Sequence, residues 1–181
     1  MDGDTILVLD YVDSYTNIPC TTQKIIISNY KDEYYSKLKV PFGCKVYEKD
    51  KEITLLCACE RGCRETAIGM ISNNQVDDAG EIDENGNTAL ILACANFMSD
   101  VATLLITTFG DKCNPQQVNI YSTTALMVAC ARSMSNVATL LITTFGDKCN
   151  PQQVNPYGET TLSLASKNKM NDVVVLLKQF S

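Results

Sequence analysis

The sequence predicts an all-α helical solenoid of about four stacked units, preceded by a small mixed α/β segment. Three observations carry this. Residues 101–119 read VATLLITTFGDKCNPQQVN, and residues 137–155 repeat the same nineteen letters at an offset of 36. A turn recurs at that offset, as Asp83-Glu-Asn-Gly86-Asn-Thr88, Asn119-Ile-Tyr-Ser122-Thr-Thr124 and Asn155-Pro-Tyr-Gly158-Glu-Thr160. Two short apolar stretches follow each turn. A self-similar period of about 20–50 residues is the mark of an array in which one supersecondary unit stacks on its copies.

Each unit reads in the same order. Asp or Asn opens the turn, because its side chain can accept bonds from backbone two residues on. Gly stands fourth in two of the three turns, where positive φ is cheapest. Thr88, Thr124 and Thr160 then stand where a helix N-cap is expected. The first helix follows in Ala89–Ala95 and Ala125–Ala131, with Ala93, Cys94, Ala129 and Cys130 small enough for close packing. A polar break covers 96–100, 132–136 and 168–172. The second helix runs from Val101, Val137 and Val173, with apolar residues at i, i+3 and i+4. Gly110 and Gly146 suit its end, and Asn114-Pro115 and Asn150-Pro151 mark loops. The boundaries implied are 1–47 for the N-terminal segment and 48–181 for the array, divided as 48–82, 83–118, 119–154 and 155–181.

This unit resembles the ankyrin repeat, whose pattern runs Asp-x-x-Gly-x-Thr-Pro-Leu-His-x-Ala-Ala and then Gly-His-x-Glu-Val-Val-x-Leu-Leu. Thr88-Ala-Leu90, Thr124-Ala-Leu126 and Thr160-Thr-Leu162 hold the signature position, and Ala58-Cys-Glu-Arg-Gly62-Cys-Arg-Glu65 carries a fainter copy in which Ile53 replaces the Thr. The pattern's Pro is replaced by Ala89, Ala125 and Thr161, and its His by Ile91, Met127 and Ser163. Less rigid turns are expected from those losses. Three extra residues lengthen the loop after the second helix, which places Cys113 and Cys149 in an expected exposed position. The style is similar to ankyrin proteins of large DNA viruses. No C-terminal F-box segment, which some of those proteins carry, is expected after the last second helix.

Residues 1–47 do not fit the unit. Thr5–Leu9 and Lys24–Ser28 read as strands, and Asp32–Lys39 as a helix. Six of the eight tyrosines fall here, at 11, 15, 30, 34, 35 and 47. The segment is either a cap on the first unit or a binding element of its own.

Composition excludes several classes of chemistry. The chain has no histidine, so Ser-His and Cys-His nucleophile pairs cannot form within it. No glycine-rich phosphate motif occurs. The net charge is −6, with eight acids against four bases in 48–82 and no basic run, which argues against nucleic acid. No apolar stretch reaches the ~18 residues of a membrane span, and no signal peptide is expected. Nine cysteines is an odd number. Equivalent cysteines of stacked helices lie about 8–10 Å apart, too far for a disulfide, which needs Cα atoms closer than ~7 Å. Free thiols, a reducing compartment and a cytoplasmic location (the host cytoplasm for a viral chain) are expected. Cys57, Cys59 and Cys63 are the densest thiol cluster, but their spacing lacks the paired form of a zinc site. Asp83-x-Asn85-x-Asn87 imitates the start of a calcium loop and fails at Thr88 and Cys94.

No catalytic residue, metal or cofactor is expected. The resemblance implies a non-catalytic module that binds a protein partner, as a monomer, on a concave face lined by turn tips and first helices. The contact positions it implies are Glu84, Asn85, Asn87, Asn96, Ile120, Tyr121, Thr123, Arg132, Pro156, Tyr157, Glu159, Lys167 and Asn168. Two other readings stay open: a structural part of a larger assembly, and a thiol-based redox or metal-binding protein built on the Cys57 cluster.

Overall fold

In a computed structural model the described residues are 54–180, together with the backbone of three strands, Thr5–Asp10 (β1), Gln23–Ile27 (β2) and Lys45–Val46 (β3). The chain divides into two compact units, Met1–Ile53 and Thr54–Ser181.

In the first unit the strands form an antiparallel sheet in the order β2-β1-β3. β1 pairs with β2 from Thr5↔Ile27 to Leu9↔Gln23, and with β3 at Leu9↔Val46 and Asp10↔Lys45. The β-branched runs at 5–9 and 24–28 therefore mark the two longer strands, as their composition favours. The expected helix at 32–39 and all six tyrosines lie outside the described residues.

The second unit is four helix pairs. The first, or inner, helices are Leu55–Glu60 (α1), Ala89–Ala95 (α3), Ala125–Ala131 (α5) and Thr161–Lys167 (α7). The second, or outer, helices are Arg64–Ser72 (α2), Ser99–Phe109 (α4), Ser135–Phe145 (α6) and Asn171–Leu177 (α8). Inner helices pack on neighbouring inner helices and outer on outer, so each pair stacks on the pairs beside it. The core is the seam between the two layers. Leu90, Leu105, Leu126, Leu141, Val101 and Val137 are fully enclosed there. Ala93, Cys94, Ala129 and Cys130 are also fully buried, the small side chains that let inner helices approach.

Threonine caps every inner helix. The Oγ1 atoms of Thr54, Thr88, Thr124 and Thr160 accept from the N–H groups of Cys57, Ile91, Met127 and Ser163 at 3.1–3.3 Å. In the first helix pair the cap is thus Thr54, which corrects the reading that Ile53 replaces it. The cause is length: α1 has six residues where α3 has seven, so the fixed offset lands one residue off.

The link between inner and outer helix is a left-handed residue. Gly62, Phe97, Ser133 and Lys169 take φ of +70°, +58°, +59° and +56°. The next N–H then reaches back five residues, as in Met98 N to Ala93 O and Met134 N to Ala129 O, both 2.9 Å. This is the helix-ending pattern that glycine favours.

The lengthened loop holds a second correction. After α4 and α6 the chain winds into 3₁₀ turns, Gly110–Cys113 and Gly146–Cys149. These turn the cysteines inward, so Cys113 and Cys149 are fully buried rather than exposed. The Cys149 thiol donates to the Gly146 carbonyl at 2.9 Å.

The last pair differs at its outer face. Ile91 and Met127 are buried beneath the next inner helix, whereas the equivalent Ser163 is exposed. Cys94 and Cys130 are replaced in the same way by exposed Ser166. Polar residues there give that face a wettable surface.

Candidate recognition surface

Between successive pairs the chain projects as a finger closed by its own Asx side chain. Asp83 Oδ1 accepts from the N–H groups of Asn85 and Asn87 at 2.8 Å. Asn119 Oδ1 accepts from Tyr121 and Thr123, both at 3.0 Å, and Asn155 Oδ1 from Tyr157 and Glu159 at 3.0 and 2.9 Å. Gly86, Ser122 and Gly158 sit in the left-handed region at +75°, +55° and +75°. Single antiparallel bridges, Ile82↔Thr88 and Val154↔Thr160, close two of the fingers. The loss of the pattern's His is therefore met from within the turn. In the last unit Ser163 also completes a capping box, its Oγ accepting from Thr160 N at 2.9 Å.

The fingers stand side by side. Asn119 Nδ2 donates to Asn87 Oδ1 at 2.8 Å, and Gln117 Nε2 to the Gly86 carbonyl at 3.2 Å. Gln153 repeats the latter contact one unit on, donating to the Ser122 carbonyl at 3.3 Å. The Ile120 N–H donates to the Asn85 carbonyl at 2.9 Å. One unit on, the donor position is Pro156, which has no N–H. The equivalent acceptor, the Tyr121 carbonyl, receives no such bond.

Twelve of the thirteen positions expected to meet a partner fall into three settings. At the finger tips, Ile120, Tyr121 and Tyr157 are 62, 61 and 88% exposed. Glu84, Asn85 and Pro156 are exposed beside them, and Thr123 is half-buried, its hydroxyl donating to Asn119 Oδ1 at 2.9 Å. A second set is tied into the frame. Asn87 joins two fingers, while Asn96 Nδ2 donates to the Cys59 carbonyl and Asn168 Nδ2 to the Cys130 carbonyl, each at 2.8 Å. Both asparagines thus clamp the C-terminal end of the preceding inner helix. Lys167 and Glu159 form a third set, an ion pair at 3.4 Å. A hydrogen bond from Asn155, and then one from Lys167, hold the Glu159 carboxyl below its ordinary range.

Arg132 occupies the clamp position of the middle unit but does something else. Its guanidinium lies over the Phe97 ring, 4.8 Å from the centroid. Phe97 is 62% exposed, and sequence reasoning missed it. The signal was an aromatic residue inside an otherwise polar break, at the place where the repeat pattern has glycine.

Five of the thiols are fully buried in the array. Burial pushes Cys59, Cys94, Cys113 and Cys130 up to about 12, and Cys149 up to about 11. The thiolate is the reactive form, so thiol chemistry at these sites is suppressed. Among the described residues no group of three or more His, Cys, Asp or Glu side chains could hold a metal ion. Cys59, Cys94, Cys113, Cys130 and Cys149 are unbridged.

The family model described as ankyrin repeats (3 copies) matches residues 96–180. Those residues are ankyrin repeats. No curated protein matches the chain. The match begins at Asn96, just past α3, yet the α1–α2 and α3–α4 pairs have the same caps, left-handed links and stacking as the matched ankyrin units. Ankyrin repeats are generally protein–protein interaction modules, and the family is typically non-catalytic. Among the described residues, no helix is long and apolar enough to cross a membrane.

Proposed function

We propose that this chain is a non-catalytic recognition module that binds a protein partner across its finger tips and inner helices. The observation that carries the reading is the run of Ile120, Tyr121 and Tyr157 on neighbouring fingers, all largely exposed. A soluble surface has little other use for adjacent aromatic side chains, and tyrosine is a frequent interface anchor. Tyr121 and Tyr157 are the anchors, and Glu84, Asn85, Thr123 and Pro156 surround them. Arg132 and Phe97 lie at the opposite end of the inner helices and form a second, smaller contact. Unbridged cysteines support a monomer working in a reducing compartment such as the cytoplasm.

The test is a pull-down from cell lysate with the wild-type chain and a Tyr121→Ala, Tyr157→Ala variant whose fold is verified by circular dichroism. A protein held by the wild type and lost by the variant is the expected result. Equal capture by both removes the finger tips as the site.

A further inference from the structure

We propose, resting on the recognition reading above, that the finger row takes a protein segment carrying arginine or lysine beside an apolar residue. What the tips offer is one-sided. From Glu65 to Asp111 the sequence contains no lysine or arginine. The Asp83 finger and the loop leading into it carry Asp77, Glu81 and Glu84, all exposed and without an ion pair among the described residues. Lys112, whose carbonyl lies beside Gly80 at the base of that loop, makes no described ion pair either. The next finger is joined directly to this one through Ile120 N and Asn85 O. It adds the apolar Ile120, the Tyr121 ring and the Tyr121 carbonyl, which Pro156 leaves without its inter-finger donor.

Carboxylates, a carbonyl oxygen and aromatic faces are all acceptors of positive charge or of N–H donors. A cationic side chain placed between them gains ion pairing at one finger and ring contact at the next. Arg132 over Phe97 shows the same pairing within this molecule. An acidic segment would meet like charge from Asp77, Glu81 and Glu84, and like-charge juxtaposition suppresses the wrong partner. The apolar neighbour in the ligand covers the exposed side chains of Ile120 and Tyr157. In the last unit Lys167 is occupied with Glu159.

The probe is a library of short random peptides displayed on phage, selected on the full chain and on two variants. One is Glu81→Gln, Glu84→Gln and the other is Tyr121→Ala, Tyr157→Ala. The wild type is expected to enrich peptides with Arg or Lys next to an apolar residue. The glutamine variant is expected to keep the apolar preference and lose the basic one. A selected peptide should bind it roughly three- to tenfold more weakly, the scale two exposed ion pairs supply, and the wild type should show a similar loss on raising the salt. A neutral or acidic pool, no pool, or a basic preference that survives the glutamines overturns the proposal. If the alanine variant selects the same pool as the wild type, the finger-tip reading itself is wrong.

Discussion

The guanidinium of Arg132 rests on the ring of Phe97, 4.8 Å from its centroid, across the boundary between two units. Phe97 holds this place in the left-handed conformation, at φ +58°, which a side chain normally avoids. The contact and the strain oppose each other. A double-mutant cycle of Arg132→Ala and Phe97→Gly, read by urea unfolding, should give a coupling of about 0.5–1 kcal/mol, the value of an exposed cation–ring pair. Phe97→Gly alone should be nearly neutral, because relief of the backbone offsets the lost ring. A coupling near zero would mean that the two side chains share space without attraction.

Ser133 has the same left-handed backbone without an aromatic contact in return. Ser133→Gly should therefore stabilise the array by several tenths of a kcal/mol to about 1 kcal/mol, since glycine adopts positive φ without steric cost. Thermal unfolding reads this directly. A lowered midpoint would show that the loss of chain entropy on fixing a glycine outweighs the relief.

Thr161 offers a cleaner gain. Its side chain is fully buried and its Oγ1 has no hydrogen-bond partner. The two equivalent positions are Ala89 and Ala125, which are also buried. Burying an unpaired hydroxyl costs about 1–3 kcal/mol. Thr161→Ala is expected to raise stability by roughly 1 kcal/mol, after the lost methyl packing is counted. Chemical denaturation with unchanged m-value would confirm it, and a loss of stability would mean that the hydroxyl is hydrated.

The recurring pattern was legible because it is carried by residue type and spacing. Asp83, Asn119 and Asn155 opened their turns where the sequence placed them, and Thr88, Thr124 and Thr160 capped their helices. The features that escaped depend on where a neighbouring segment lies. Asn96 and Asn168 look like ordinary loop residues until the carbonyls they clamp, in the unit before, are located. Cys113 and Cys149 sit in a polar stretch that reads as exposed, and only the winding of 110–113 and 146–149 into 3₁₀ turns sends them inward. Tyr121 and Tyr157 stand out in the sequence because tyrosine at a turn has no packing role to explain it, and both are exposed. The consequence of Pro156 was missed because a missing N–H matters only once its would-be acceptor is known.

The buried thiols impose an alkaline limit. Cys59, Cys94, Cys113 and Cys130 ionise near 12 in the folded chain, against an ordinary value near 9. Between those values the unfolded chain has lost protons that the folded chain retains. Stability is therefore complete below about pH 9 and falls as pH rises toward 12. Denaturant titrations at stepped pH should show this slope, reduced by Cys94→Ala after correction for its packing loss. In the folded state at neutral pH, a thiol reagent should leave these four unmodified until unfolding exposes them. Rapid modification of all four under native conditions would contradict their burial.

Identity between 101–119 and 137–155 makes the chain adjustable in length. Removing 101–136 would join Asp100 to Val137, and the resulting outer helix would carry the sequence it had before. The cut would excise one whole finger, with Ile120 and Tyr121, and set the acidic Asp83 finger directly beside the one that bears Pro156 and Tyr157. Loss of those 36 residues would therefore reset the spacing between charge and aromatic ring while leaving the sequence of the joined outer helix unchanged.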